Sequence, residues 1–219
     1  MSSIYYNNFI KRVGIVYSNV LELLEARGVD KDLIQRNIID KSLEERIRRF
    51  LIEKDSIYID ISIESGTKKH VVKFMNKVSS VSRSGRKENI EQIHRDVSLL
   101  EDIGKNDELL IVYLDNEFTE GEIDTINEFE SDYSNTRIMS YKNLMFNITK
   151  HELVPPHRLF NDDKFELMDK LMIKSSDQLP YMLHSDPIAR FYNFRKGSIV
   201  EIDRPVQATK ISKVYRVVK

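Results

Sequence analysis

The sequence contains no cysteine. Disulfides, thiolate-bound metals and cysteine nucleophiles are therefore excluded, and the composition suits a reducing compartment. Long apolar runs are missing too. The longest spans six residues, Leu109 to Leu114, where a membrane-crossing helix needs roughly 20. The N-terminus is polar (Ser2, Ser3, Asn7, Asn8) and shows no basic stretch followed by a long apolar one, so no signal peptide is expected. Glycine is scarce. The seven, at 14, 28, 66, 85, 104, 121 and 197, never fall close enough to build a dinucleotide loop or a P-loop. Only three alanines stand against 25 isoleucines and 14 asparagines, which reads as a coding bias toward A and T. Excess charge of one sign is lacking as well. The net charge of −1 excludes a general polyanion binder. The imbalance along the chain is mild, with 22 basic against 26 acidic residues in 1–150 and 12 against 9 in 151–219.

What is present is a succession of helix and strand patterns. Val13, Val16, Val20, Leu23 and Leu24 recur at helical spacing and are followed by Gly28, a fitting helix C-terminal residue. Ser42-Leu43-Glu44-Glu45 reads as a capping box opening a helix with Leu43, Ile47, Phe50 and Leu51 on one face. Ile57, Ile59, Ile61 and Ile63 alternate with polar residues, the period of a strand with one buried face. Strands are expected at Val71–Met75, at Leu109–Leu114 (apolar on both faces, hence central) and at Leu144–Ile148. Helices are expected on Ile90, Ile93, Val97 and Leu100, and on Ile123, Ile126 and Phe129 after the capping box Thr119-Glu120-Gly121-Glu122.

Pro155-Pro156 interrupts any regular element and marks a boundary near residue 150. Beyond it, helical spacing places Phe165, Met168, Leu171 and Met172 inward. A short helix follows Ser176, and Asp186-Pro187 caps another. Strands are expected at Ser198–Asp203 and Val214–Val218. The expected architecture is an α/β N-terminal domain over 1–148, layered with a mixed sheet and helices, and a small α+β C-terminal domain over 149–219.

No catalytic constellation emerges. His151-Glu152-Leu153-Val154-Pro155 begins like a zinc-protease helix but has proline where the second histidine belongs. The five histidines (70, 94, 151, 157, 184) read as structural or surface residues. A metal-dependent nuclease would need an acidic-x-Lys triplet on the strand after Asp60 and Glu64, and none is there. Asp162-Asp163-Lys164 instead opens a helix, whose dipole favours acids. No metal or cofactor is therefore expected, and no small-molecule substrate. One polyanion-friendly stretch exists. Between Gly66 and Lys87 no acid occurs, while Lys68, Lys69, Lys73, Lys77, Arg83, Arg86 and Lys87 provide seven positive charges. It is either a solvated loop with scattered lysines or a weak, non-specific contact to phosphates.

The last third resembles a known family. Asn147-Ile148-Thr149-Lys150-His151-Glu152-Leu153-Val154-Pro155-Pro156-His157 is similar to the segment opening the C-terminal domain of the fifth subunit shared by eukaryotic nuclear RNA polymerases, a domain that stands alone as a small subunit of the archaeal RNA polymerase. The likeness continues in order through Gln178-Leu179-Pro180, Asp186-Pro187-Ile188-Ala189-Arg190-Phe191-Tyr192, Arg195-Lys196-Gly197-Ser198-Ile199-Val200-Glu201-Ile202, Arg204-Pro205 and Tyr215-Arg216. The resemblance implies a non-catalytic subunit of a DNA-dependent RNA polymerase. Its C-terminal assembly domain would anchor to the largest subunit, beside neighbouring small subunits, and its N-terminal jaw domain would lie near downstream double-stranded DNA. Interface residues implied by the matched segments are His151, Glu152, Leu153, Val154, Pro155, His157, Gln178, Leu179, Pro180, Asp186, Pro187, Arg190, Gly197, Arg204, Pro205, Tyr215 and Arg216.

Two departures stand out. The family's loop after the central strand approaches the duplex, whereas here Asp115 to Glu122 is acidic, which gives more weight to the basic 66–87 stretch as a DNA contact. The stretch after Arg204-Pro205 is also replaced, by Val206 to Ser212. The A/T bias and the divergent jaw suit a large DNA virus or a fast-evolving eukaryote. The expected location is accordingly the nucleus if cellular, and virion and host cytoplasm if viral. The rival readings are a free-standing nucleic-acid-binding module and a divergent metal-dependent nuclease.

Overall fold

A computed structural model of the chain describes residues 3–38, 42–53, 59–75, 104, 106–114, 118–133, 135–205 and 212–219. The chain divides into two compact units, Met1–Phe146 and Asn147–Lys219.

In the first unit, α1 (Ser3–Ala26) buries Val13, Val16, Val20, Leu23 and Leu24 as one stripe. It stops at Gly28, whose φ of 91° lies in the left-handed region that a side chain would penalise. Helix α2 (Lys31–Ile38) was not foreseen from periodicity. Its signal is Asp30, whose Oδ1 accepts the N–H groups of Asp32 and Leu33 at 2.9 and 3.1 Å. Helix α3 (Leu43–Glu53) starts on Ser42, with Oγ accepting from the Glu45 N–H at 3.3 Å, and buries Ile47 and Phe50.

Four strands form one mixed sheet in the order β1 (Ile61–Ser65), β2 (Lys68–Met75), β3 (Glu108–Tyr113), β4 (Thr136–Ser140). The β1–β2 pair is antiparallel, turned at Gly66 with φ 62°; β2–β3 and β3–β4 are parallel. All six residues of β3 are buried, as expected of a central strand. Helix α4 (Glu120–Asp132) crosses from β3 to β4, burying Ile126 and Phe129 against Val71, Leu109, Ile111 and Ile138.

The structure corrects several boundaries. The alternating isoleucine strand begins at Ile61; Ile59 is buried but precedes it, and Ile57 lies outside the described residues. The helix expected on Ile90 to Leu100 also lies outside them. No strand covers Leu144–Ile148. The strand is β4 upstream, and the later segment forms two 3₁₀ turns, Tyr141–Leu144 and Ile148–Lys150. Asparagine explains the difference. Asn143 Oδ1 accepts the Ser140 N–H at 3.2 Å and Asn147 Oδ1 accepts the Thr149 N–H at 2.9 Å, bonds that favour turns over a ladder.

The second unit holds a four-stranded sheet in the order β5 (His157–Leu159), β7 (Ile199–Arg204), β8 (Ser212–Val218), β6 (Tyr181–Met182). Both faces are covered. Val200, Ile202 and Val218 pack with Met182, Phe194 and with Ile188 and Ala189 of α6 (Pro187–Tyr192). Ile199 and Val217 pack with Leu179 and with Leu167 of α5 (Lys164–Lys170). Helix α5 departs from expectation. It has seven residues, so only Leu167 reaches the sheet fully, while Phe165 is 76% and Met172 93% exposed. Helix α6 starts as read, with the Asp186 carboxylate accepting the Ile188 N–H at 2.8 Å ahead of Pro187.

Candidate subunit-docking surface

The segment entering the second unit is a built corner. His151 is exposed, and its Nδ1 accepts the Leu153 N–H at 3.2 Å while its carbonyl accepts the Val154 N–H at 2.9 Å. Glu152 is exposed and Leu153 is 82% so; Val154 turns in against the α6-side core. The two prolines supply no donors, yet their carbonyls are used. Pro155 O lies 2.6 Å from His157 Nδ1, and Pro156 O accepts the Asp203 N–H at 3.1 Å. The corner is thereby pinned to β7, leaving the Glu152–Leu153 tip projecting. Burial lowers the His157 pKa, because desolvation disfavours the imidazolium. The Pro155 bond and Asp186 oppose this, while Arg216 and Arg204 reinforce it.

The remaining matched residues divide between the two sheet faces. On the α6 side are His157, Asp186 and the half-buried Arg190, with exposed Pro187. Arg204 and Pro205 are exposed at the end of β7. Arg216 Nη1 sits 3.5 Å from the Tyr181 carbonyl. Gly197, at φ 81°, turns the chain into β7 and donates its N–H to Val218 O at 2.9 Å. On the α5 side lie Leu179, in the core, and Tyr215, whose hydroxyl donates to Glu201 Oε2 at 3.0 Å. Gln178 closes a turn, its Oε1 accepting the Lys174 N–H at 2.6 Å; Pro180 O accepts the Val217 N–H at 3.0 Å. Leu179 and Gln178 thus hold the fold, whereas Leu153, Pro187, Arg204 and Pro205 face outward.

Two features were missed from sequence. One is Glu201, buried on β7 and joined by Arg158 Nε at 2.6 Å, Lys213 Nζ at 3.1 Å and Tyr215. Burial works against its ionisation, but these three donors outweigh that and hold its pKa below the usual glutamate range. A lone charge in the apolar run Ile199 to Ile202 was the signal. The other is apolar exposure. Phe165, Met172, Tyr181 and Leu183 join Leu153 as large exposed apolar side chains of this unit.

Basic residues of the first unit fall differently. Lys68 Nζ is 2.6 Å from Glu108 Oε1, a carboxylate shared with Arg27, and Lys73 Nζ is 2.6 Å from Asp60 Oδ2, so both lysines are held in ion pairs of the fold. Lys69 gives its main-chain N–H to Asp107 Oδ1 at 2.8 Å. Lys77, Arg83, Arg86 and Lys87 lie outside the described residues. Asp60, the nuclease candidate, accepts the Phe74 N–H at 2.9 Å besides its lysine, an arrangement that ties β2 to the residues before β1. Among the described residues no group of three or more His, Asp or Glu is placed to hold a metal. None of the helices described is long and apolar enough to cross a membrane.

Residues 146–218 match the family model described as RNA polymerase Rpb5, C-terminal domain. The chain is 42% identical over 76 residues to "DNA-directed RNA polymerases I, II, and III subunit RPABC1" of Caenorhabditis elegans, covering 34% of this chain and 36% of that protein. It is 40% identical over 74 residues to the protein of the same name from Dictyostelium discoideum, covering 33% and 37%. A longer match, 33% over 110 residues, joins it to "DNA-directed RNA polymerase V subunit 5A" of Arabidopsis thaliana, covering 50% and 48%. The aligned stretch spans a little over a third of the first relatives and about half of the last. The matched stretch coincides with the second compact unit, and the resemblance read from its motifs holds.

Proposed function

We propose that this chain is a non-catalytic structural subunit of a multisubunit DNA-dependent RNA polymerase. Its C-terminal unit anchors to the largest subunit, and its N-terminal unit serves as a jaw near downstream DNA. The observation that carries the reading is the family match over 146–218, which coincides with a self-contained unit that keeps its own core. Within that unit the matched polar residues mostly build corners, caps and turns. Leu153, Phe165 and Met172 leave apolar surface in water, which suits a permanent partner. The interface we assign therefore includes the Glu152–Leu153 tip, Arg204 and Pro205 from the matched motifs, together with Phe165 and Met172.

Two lysines of the basic stretch are already paired, so DNA contact by the N-terminal unit rests on Lys69 and on Lys77, Arg83, Arg86 and Lys87. Such contact would be weak and indifferent to sequence.

The test is purification of the tagged full-length chain from its native cells under mild salt. Co-elution with two very large subunits and transcription activity supports the reading; elution as a free polypeptide overturns it. Leu153→Ser with Met172→Ser should weaken that association while leaving the melting temperature of the free chain unchanged, since neither side chain packs in the core.

A further inference from the structure

Among the described residues strand β4 is an edge strand, paired with β3 on one side only. In the parallel pair, the Leu109 N–H bonds to Asn135 O, so by alternation residues 135, 137 and 139 turn their polar groups toward β3. Residues 136, 138 and 140 turn theirs outward, where another strand could pair with them. Each outward N–H is instead taken by the chain itself. Thr136 donates to Tyr133 O at 2.8 Å, Ile138 to Glu130 Oε1 at 2.8 Å, and Ser140 to Asn143 Oδ1 at 3.2 Å. Arg137 Nη1 donates to the Thr136 carbonyl at 3.2 Å. At the centre, Glu130 and Arg137 lie 3.5 Å apart, both side chains fully buried.

A buried ion pair is a poor source of net stability, because desolvation offsets its attraction and an apolar pair of similar volume often serves as well. This pair does something an apolar pair cannot: its carboxylate ends the hydrogen-bonding row of an edge strand. We propose that Glu130 and Arg137 form a latch that seals the outer edge of β4 under the end of α4, closing it to strand addition by a second copy of this chain. Asn143 seals the end of the same edge from the following turn.

The experiment uses the full-length chain and reads single amides by hydrogen exchange and molecular mass by sedimentation across a concentration series. In the double variant Glu130→Met with Arg137→Met, the Ile138 amide should exchange about tenfold or more faster, the consequence of losing one buried acceptor. The mass should rise with concentration. Glu130→Gln keeps an acceptor and should leave the Ile138 amide slow. Asn143→Ala, at an exposed site where folding is not at stake, should speed the Ser140 amide alone. Wild-type exchange of Ile138 and Ser140 in the double variant and Asn143→Ala overturns the latch. A double variant that folds but keeps a constant mass across the concentration series overturns it as well, and if that variant does not fold, a wild-type Ile138 amide exchanging as fast as solvent-exposed amides overturns it.

Discussion

Glu108 shows how one side chain can organise the start of a strand. It opens β3 with its carboxylate 2.6 Å from Lys68 Nζ, 3.4 Å from Arg27 Nη1 and 3.4 Å from His70 Nδ1. Burial alone would raise its pKa. His70, Arg27 and Lys68 overcome that and hold the group well below the usual carboxylate range. The folded pKa is thus depressed, so the linked stability is fully present above the unfolded value of about 4.3 and drains away as pH falls through the folded one. Glu108→Gln should lower stability at neutral pH by about 3 kcal/mol, because the nearly buried Arg27 then loses its counter-charge. Urea denaturation across a pH series checks this. The gap between variant and wild type should be constant from pH 7 to about 5 and narrow below 4. A gap unchanged down to pH 2 would mean that ionisation is not what the site contributes.

Capping decides where elements begin, and it was the most legible layer of the sequence. Thr119 and Glu122 open α4 as read, with Glu122 Oε2 accepting the Thr119 N–H at 2.7 Å and its hydroxyl at 2.9 Å. Glu122 is buried, so this is more than a surface cap. Glu122→Ala should cost about 1–2 kcal/mol and speed amide exchange in the first turn of α4, leaving its last turn unaffected. Equal acceleration along the whole helix would contradict a local cap. Ser42, Asp163 and Asp186 were legible for the same reason: a short polar side chain three or fewer residues ahead of its donor acts within reach of local sequence. Helix α2 and the turns at 141–150 escaped although their signals, Asp30, Asn143 and Asn147, are local; the other misses depended on distant residues. β4 looks unremarkable in sequence because Arg137 sits at its centre. Glu130, seven residues away and on another element, supplies the counter-charge at that position. Helix α5 was placed, but its inward face was not. Periodicity supplies a face, yet a helix of two turns meets the sheet at Leu167 and leaves Phe165 in water. The motifs of the second unit did not separate Leu179, which packs in the core, from Leu153, which projects.

At the scale of the whole molecule the charge distribution bears on the DNA contact proposed for the jaw. Residues 1–150 carry a net −4, which includes exposed Glu120 and Asp124 at the α4 entry, so close approach to a duplex there is opposed. Any attraction has to come from the basic stretch. Lys68 and Lys73 are bound to Glu108 and Asp60, so changing them would break internal pairs. The discriminating variant therefore reverses Lys69, Arg86 and Lys87 and leaves Lys68 and Lys73 intact, so the sheet keeps its internal pairs. Counterion release sets the expected size. Each lost phosphate contact should reduce the slope of log affinity against log salt by about 0.9. Binding of the intact assembly to duplex DNA should thus lose up to about 2.7 from that slope if all three residues touch phosphates, with loss of affinity indifferent to sequence. An unchanged slope in an assembly that still incorporates the variant chain would remove Lys69, Arg86 and Lys87 from the DNA contact. It would leave the anchoring of the C-terminal unit standing, since that rests on different residues in a different unit.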